Sequence, residues 1–157
     1  MLIGRRRFLA LCGGLTATAL VASCVQEDSE PEVDRVTLAA DEIPQPGGEP
    51  LHSEAGRCYL INNDDGLLAL YTRCTHQGCA VTWEGDEQRF KCPWHGSQFD
   101  RHGRRVAGPA ERPLDLMAIE RQANGVIQVD TTAITERREW SPGQAVPTSC
   151  SRYARNI

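Results

Sequence analysis

Two short segments of the sequence each combine a cysteine with a histidine, and both side chains are common ligands of transition metals. Cys74 and His76 are separated by one residue, and Cys92 and His95, which follow after fifteen further residues, are separated by two. Each segment offers one thiolate and one imidazole. Two loops of this kind that face each other would bind metal through two sulfur and two nitrogen ligands.

This ligand set is compatible with two different metal centres. A [2Fe–2S] cluster can be bound by two cysteines at one iron and by two histidines at the other. A zinc ion with the same four ligands would be structural, as in a zinc-stabilised binding module. The ligand types alone favour neither centre, so the choice between them depends on the flanking residues.

The elements that position these segments are predicted to be short β-strands. Apolar runs alternate with turn residues from Arg35 onward, and no segment after Val25 shows a helical period over three turns. The segments 62–66 and 123–125 are typical of hairpin turns. This spacing predicts an all-β sandwich or barrel. The predicted strands are Val36–Ala39, Pro50–His52, Cys58–Asn62, Leu67–Tyr71, Val81–Trp83, Arg89–Lys91, Met117–Arg121 and Val126–Asp130.

The N-terminal segment has the layout of an export signal. Arg5–Arg7 precede the apolar run Phe8–Val25, and an arginine pair followed by Phe8 and Leu9 resembles the twin-arginine signal. The residues before Cys24 resemble a bacterial lipobox, which would attach a lipid to its sulfur. The alternatives are an uncleaved membrane anchor and an ordinary cleaved signal. All three place the protein outside the cytoplasm, and the first two tether it to the membrane by its N-terminus.

Length and charge limit the number of domains and the kinds of partner that the chain can have. A chain of 157 residues is sufficient for one domain, and its formal net charge of −4 argues against binding to nucleic acid. We therefore expect an export signal or anchor at residues 1–24, an acidic flexible linker at 25–34 and a domain at 35–131. A C-terminal tail at 132–157 would wrap around the barrel, contact a partner or be a mobile terminus.

The residues around the four candidate ligands resemble the Rieske iron–sulfur protein family. The matching segments are CTHQGC (74–79), CPWHGSQFD (92–100) and GPAERPL (108–114), the last of which is similar to the proline loop that covers the cluster in that family. The resemblance spans residues 36–130. It implies a Rieske-type antiparallel β-sandwich or barrel with a small loop-built subdomain that binds a [2Fe–2S] cluster.

The resemblance also implies roles for individual residues. Gly78 and Gly96 would permit the tight turns of the ligand loops. The Ser97 hydroxyl would hydrogen-bond a bridging sulfide and raise the reduction potential, although a turn serine can instead bond its own backbone. The four ligands would be Cys74 and Cys92 at the inner iron, with His76 and His95 at the outer iron near the surface.

Two positions depart from the quinol-linked members of the family. Those members have a second cysteine in each loop, and the two form a disulfide; here Cys79 occupies the first position but Trp94 occupies the second. We expect Trp94 to shield the loops from solvent by burial instead. Phe99 stands where those members often have a tyrosine that hydrogen-bonds a ligand sulfur. Both departures predict a lower reduction potential than is usual for a quinol-oxidising Rieske protein.

The remaining cysteines and histidines receive structural interpretations. Cys58 and Cys150 are expected to form a disulfide that ties the tail to a strand, and the alternative is that all remaining thiols are reduced and buried. His52 is expected to be a surface or packing residue of a strand. His102 is expected to be a solvated residue of a turn.

The resemblance implies one-electron transfer, without an independent active site, as the iron–sulfur subunit of a quinol-oxidising complex of the cytochrome bc1 or b6f type. Its partners would be cytochrome subunits and quinol, on the outer face of the cytoplasmic membrane. The alternative is a small Rieske subunit of an exported oxidoreductase similar to arsenite oxidase, a family in which some members lack the disulfide between the loops. The zinc-stabilised module is the alternative from another class.

Overall fold

The computed structural model describes residues 34–148, and these residues are almost entirely β-strands and loops. Two short 3₁₀ helices, Gly85–Glu87 and Pro142–Gln144, are the only helices in this range. The prediction of an all-β fold is therefore confirmed. The strands are β1 (Arg35–Leu38), β2 (Leu51–Ser53), β3 (Cys58–Asn63), β4 (Gly66–Tyr71), β5 (Thr82–Glu84), β6 (Arg89–Lys91), β7 (Gln98–Phe99), β8 (Arg105–Ala107), β9 (Leu116–Arg121) and β10 (Ile127–Thr135).

The strands form two antiparallel sheets of different size. The first sheet has six strands in the order β1-β10-β9-β4-β3-β2, and the second has four in the order β5-β6-β7-β8. All eight predicted strands are present, with ends that differ by one or two residues except at β10. Strands β7 and β8 were not predicted, because they are too short to show a pattern of alternating side chains.

Both predicted hairpin turns are present. In the β3–β4 hairpin Asn63 pairs with Gly66, and in the β9–β10 hairpin the turn contains Gly125 with a φ of +84°. At Gly66 a side chain is also excluded by space, because a Cβ atom would lie 2.4 Å from the carbonyl oxygen of Val146. The turn therefore requires glycine for its backbone conformation and for the close approach of the chain that follows β10.

The central hairpin is buried on both of its faces. Every residue of β3 and β4 is buried, in contrast to the alternating pattern of a strand with one wet face. Alternate residues contribute to two apolar clusters, which explains the continuous burial. One face, with Leu60 and Leu67, packs against β9 and β10 residues such as Met117 and Val129. The other face contributes to a cluster that includes the second sheet, with Tyr59, Ile61, Leu68, Leu70, Phe90, Phe99, Cys74 and Cys92 among its members.

Cys58 is a buried residue of the first cluster. Its side chain is 1% exposed, and burial raises the pKa of its thiol to about 11, so the thiol is neutral at physiological pH. No disulfide forms among the cysteines between residues 34 and 148. Cys150 lies outside the described residues, so the expected Cys58–Cys150 disulfide stays a prediction.

The chain after the expected end of the domain continues the fold. β10 runs to Thr135, with a register shift between Asp130 and Ile134, and therefore includes the first residues that the sequence analysis placed in the tail. Further on, Arg137 is only 5% exposed, and its Nε donates a 2.6 Å hydrogen bond to the carbonyl of Leu114. Val146 then pairs with Leu67 at β4. This segment thus wraps around the first sheet as far as residue 148.

Several expectations lie outside the described residues. These are the export signal or anchor with its lipobox at Cys24, nearly all of the linker, and the end of the tail. Between residues 34 and 148 no helix has the length and apolar character needed to cross a membrane.

Candidate metal centre

Two loops at the end of the second sheet contain the predicted ligands. Loop 1 (residues 74–79) lies between β4 and β5, and loop 2 (residues 92–97) connects β6 to β7. The loops have the same hydrogen-bond pattern: the N–H of Cys74 donates to the carbonyl of Cys79 at 2.8 Å, and that of Cys92 to Ser97 at 2.8 Å. Both loops therefore hold their first cysteine at the same point of a closed turn.

A glycine occurs at the same place in each turn. The N–H of Gly78 donates to the Cys74 carbonyl, and the N–H of Gly96 donates to the Cys92 carbonyl. Their φ angles are +81° and +70°, a region that costs other residues about 1–2 kcal/mol. The prediction that both glycines permit tight turns is confirmed.

The thiols of Cys74 and Cys92 lie side by side in the protein interior. Each residue is 2% exposed, and each thiol shifts the pKa of the other. Burial raises the pKa of Cys74. Burial also opposes ionisation of Cys92, but hydrogen bonds from the backbone of His95 and Trp94 and from neighbouring thiols outweigh it, so its pKa is lowered. This donor-rich environment favours a thiolate ligand.

The two candidate histidines lie together at the outer side of these thiols. The rings of His76 and His95 have centroids 4.8 Å apart and are nearly perpendicular, at 86°. His95 is exposed, whereas Nδ1 of His76 is buried and has no hydrogen-bond partner within residues 34–148. A buried ring nitrogen without a partner is destabilising unless it binds something else, and a metal ion meets this need.

The other two histidines have no place in this centre. His52 stacks on Tyr59, with ring centroids 4.3 Å apart, as expected of a packing residue. His102 is not the solvated turn residue that the sequence predicted. Its Nε2 lies 3.3 Å from the Asp65 carboxylate and its ring packs 4.6 Å from Trp140, because the segment after β10 folds back over this turn.

Loop 3 (residues 108–114), the predicted proline loop, contacts both ligand loops. The N–H of Ala110 donates a 3.1 Å hydrogen bond to the hydroxyl of Ser97, which is completely buried. The same hydroxyl acts to lower the pKa of the Cys74 thiol. On the other side, the hydroxyl of Thr75 donates to the carbonyl of Arg112 at 2.7 Å. Loop 3 thus fixes loops 1 and 2 relative to each other without a covalent link between them.

Trp94 does not shield the loops as the sequence analysis expected. Its side chain is 77% exposed, so the interpretation that it replaces the missing disulfide by burial is wrong. The reason is local, since the closed turn of loop 2 directs the residue before His95 outward. Ser97 and loop 3 instead supply the contacts that hold loops 1 and 2 together. The sequence pattern alone does not reveal these contacts.

The structure adds Cys79 to this group of side chains. The thiol of Cys79, the thiol of Cys92 and a ring nitrogen of His95 all lie within 4.8 Å of one another. The sequence placed Cys79 only at the position of an unpaired disulfide partner. Its place in loop 1 corresponds to that of Ser97 in loop 2, which is a signal that it lies next to the centre.

An open polar cleft borders the centre on the side of loop 1. It has a volume of about 650 Å³ and is lined by His76, Arg73 and Arg112, among others. Arg112 is held there by a two-pronged ion pair with Asp115, which raises the pKa of the guanidinium. The cleft gives a polar molecule access to the half-buried His76.

The family of the chain follows from a comparison with known proteins. The Rieske [2Fe-2S] domain family matches residues 35–125, which is more than half of the chain and includes all three loops. The chain belongs to the Rieske family. The domain therefore binds a [2Fe–2S] cluster.

Curated relatives match the central part of this Rieske chain. An iron–sulfur subunit of the cytochrome b6-f complex from Bigelowiella natans is 45% identical over 84 residues, covering 51% of this chain and 33% of the relative. The corresponding subunit from Volvox carteri is 41% identical over 83 residues, covering 51% of this chain and 40% of the relative. The chain thus matches about a third of the length of the first of these relatives.

Among solved structures, the plasma membrane Rieske protein PetC3 from Synechocystis PCC 6803 is similar, with 32% sequence identity and a TM-score of 0.42. The match covers 51% of this chain and 82% of that protein.

The residues of the Rieske centre fit a [2Fe–2S] cluster. The centre contains two adjacent buried thiols and two adjacent imidazoles, one of them with a buried nitrogen that has no partner among residues 34–148. These are the two sulfur and two nitrogen ligands that a Rieske cluster requires. The backbone hydrogen bonds to the cysteine sulfurs supply the outer contacts that orient metal ligands.

Proposed function

We propose that Cys74, His76, Cys92 and His95 are the cluster ligands, and that the protein transfers single electrons as the iron–sulfur subunit of a quinol-oxidising membrane complex. The observation that carries this proposal is the arrangement of the ligand pairs. The thiols are buried, whereas His95 is exposed and the half-buried His76 borders a polar cleft. Similarity to subunits of cytochrome b6-f complexes supports the assignment to a quinol-oxidising complex.

The residues of the centre have one role in the interior, which is to bind the cluster, and another at the surface, which is to contact the quinol. The cluster supplies one-electron redox chemistry when it is bound. Cys74 and Cys92 bind it in the interior, where the Ser97 hydroxyl and backbone N–H groups stabilise negative charge on sulfur. His95 is exposed, so the ring nitrogen that does not bind metal can accept a hydrogen bond from a quinol hydroxyl and take its proton.

The reduction potential should be lower than is usual for quinol-oxidising Rieske proteins. No disulfide links loops 1 and 2, and Phe99, which is completely buried, has no hydroxyl to donate to a ligand sulfur. Both differences remove stabilisation of the added electron. The missing disulfide also supports a second candidate, a small Rieske subunit of an exported oxidoreductase similar to arsenite oxidase.

The location proposed for either function is the outer face of the cytoplasmic membrane. The support is the sequence of residues 1–24, with its arginine pair, apolar run and lipobox-like end at Cys24. Mass spectrometry of the purified N-terminal peptide tests this, since a lipid on Cys24 and an intact N-terminus have different masses.

The four histidines of the chain allow a matched test of the ligand assignment. His76→Gln and His95→Gln should each abolish the Rieske-type electron paramagnetic resonance (EPR) signal of the reduced full-length protein. His52→Gln and His102→Gln, which change histidines outside the centre, should retain it. A colourless wild-type protein with no EPR signal would refute the cluster itself, and a signal retained in His76→Gln would refute the ligand set.

The two candidate functions differ in the cofactor of the partner. The complex that contains the full-length chain should be isolated from native membranes and examined for metals and haem. A b-type haem spectrum without molybdenum is expected. Molybdenum without b-type haem would overturn the quinol-oxidising proposal and support the second candidate.

A further inference from the structure

Among residues 34–148, the thiol of Cys79 is the one cysteine side chain near the centre that the proposed cluster ligation leaves unused. It is half-buried, and Trp94 occupies the position of its usual disulfide partner. Its sulfur lies within 4.8 Å of both the Cys92 sulfur and a ring nitrogen of His95, and it hydrogen-bonds Cys92. Cys79 therefore belongs to a second set of possible metal ligands that overlaps the first.

This second set has the chemistry of a zinc site. Two thiolates and one imidazole are zinc ligands at about 2.3 Å and 2.0–2.1 Å, which in a tetrahedral site places ligand atoms about 3.5–3.8 Å apart. Atoms already within 4.8 Å of one another need to move by only about 1 Å to reach that geometry. The fourth position can be filled by water, because His95 is exposed, or by the thiol of Cys74, which adjoins Cys92.

His76 distinguishes the two sets of ligands, because it belongs only to the proposed cluster ligands. Its Nδ1 is buried without a hydrogen-bond partner among residues 34–148, and His76 is not a member of the group formed by Cys79, Cys92 and His95. A single ion bound by Cys79, Cys92 and His95 would thus use one residue that the cluster does not need and leave one cluster ligand free. The two sets can be distinguished by substituting these two residues.

We propose that the cluster-free chain binds a single Zn²⁺ ion through Cys79, Cys92 and His95, and that this zinc excludes the [2Fe–2S] cluster. Exclusion follows because Cys92 and His95 cannot be ligands of both metals at once. Sulfur and nitrogen sites generally bind Zn²⁺ more tightly than Fe²⁺, so the exclusion favours zinc whenever both ions meet the empty site. This inference goes beyond electron transfer and predicts that cluster insertion must precede exposure to zinc.

The test compares full-length wild-type protein with Cys79→Ser, Cys79→Ala and His76→Gln, all prepared without metal and under a reducing agent that does not bind zinc. Zinc affinity is measured by competition with a chromophoric chelator, and Co²⁺ serves as a spectroscopic probe of bound thiolates. Circular dichroism verifies that each variant is folded. Cluster content is measured separately, by iron analysis and EPR after reconstitution with iron and sulfide.

Wild-type protein and His76→Gln should bind zinc with the same affinity, whereas both Cys79 variants should bind it at least about tenfold more weakly. The Cys79 variants should still accept the cluster, and zinc added before iron should prevent its formation in wild-type protein. Equal zinc affinity in wild-type and Cys79 variants would overturn the proposal, as would weakening by His76→Gln. Loss of the cluster in Cys79→Ser would instead contradict the ligand set proposed for electron transfer.

Discussion

The central hairpin of the first sheet and the cluster-binding part of the molecule are stabilised in different ways. Strands β3 and β4 have six residues each and are buried throughout, with apolar side chains on both faces. Strands β7 and β8 have two and three residues, and the loops they adjoin carry exposed side chains. The hairpin is a packed interior element, whereas the cluster-binding part buries the rings of Phe90 and Phe99 but leaves most residues of loop 2 exposed.

Hydrogen bonds compensate for this in the cluster-binding part. Closed turns fix loops 1 and 2, and the buried Ser97 hydroxyl links loop 2 to Cys74 and to Ala110 of loop 3. Each such bond contributes about 0.5–1.5 kcal/mol, less than the burial of one large apolar side chain. The central hairpin is thus stabilised mainly by apolar packing, whereas hydrogen bonds hold the ligand loops in position.

Phe90→Ala should have the largest effect, because this residue joins the two parts. Phe90 is completely buried in β6 and packs against Tyr59 of β3, with ring centroids 5.0 Å apart. Removing the ring should lower the free energy of unfolding by about 3–5 kcal/mol. Urea unfolding followed by circular dichroism should show one transition for the whole domain. Two separate transitions would mean that the parts fold independently.

Gly108→Ala should disrupt the loops with less effect on the first sheet. A Cβ at Gly108 would lie 2.4 Å from Cα of Ser97, and the φ of +87° also disfavours alanine. Steric overlap and backbone strain together should cost about 2–4 kcal/mol and prevent stable cluster binding. Gly96→Ala is the matched control.

At Gly96 the φ is +70°, but a Cβ would meet no atom within 4 Å. This variant should lose about 1–2 kcal/mol and keep its cluster. Iron content and thermal unfolding measure both variants. Equal iron content in the two would contradict the conclusion that close contact between loops 2 and 3 positions the ligands.

Ser97→Ala should have a moderate effect on stability and a specific effect on the reduction potential. The change leaves the buried N–H of Ala110 without its acceptor, which costs about 1–3 kcal/mol, and it removes a hydrogen bond to Cys74. The potential should fall in a redox titration followed by EPR. Thr75→Val, which loses a hydrogen bond from loop 1 to the carbonyl of Arg112, should be destabilised without a change in potential. A similar fall in both variants would indicate general loosening.

The part of the molecule determined by local sequence could be predicted, and the part determined by tertiary contacts could not. The apolar runs and turn residues predicted β3 and β4, and the positions of the cysteines, histidines and glycines predicted loops 1 and 2. Strands β7 and β8 form only because each has a neighbouring edge to pair with, β7 on β6 and β8 on β7. Arg137 is buried because its guanidinium finds the carbonyls of Leu114 and His102, and the charged residue alone predicts exposure.

Trp94→Ala should have the smallest effect. It tests directly whether Trp94 shields the ligand loops, as the sequence predicted. An indole that is 77% exposed contributes little to folding, so the free energy of unfolding should change by no more than about 0.5 kcal/mol. Trp83→Ala is the control, because Trp83 packs against Phe90, with centroids 4.8 Å apart, and should be clearly more destabilising. Chemical unfolding and cluster lifetime in air measure both. If Trp94→Ala loses as much stability as Trp83→Ala, or loses its cluster faster than wild-type protein, then the indole does shield the loops.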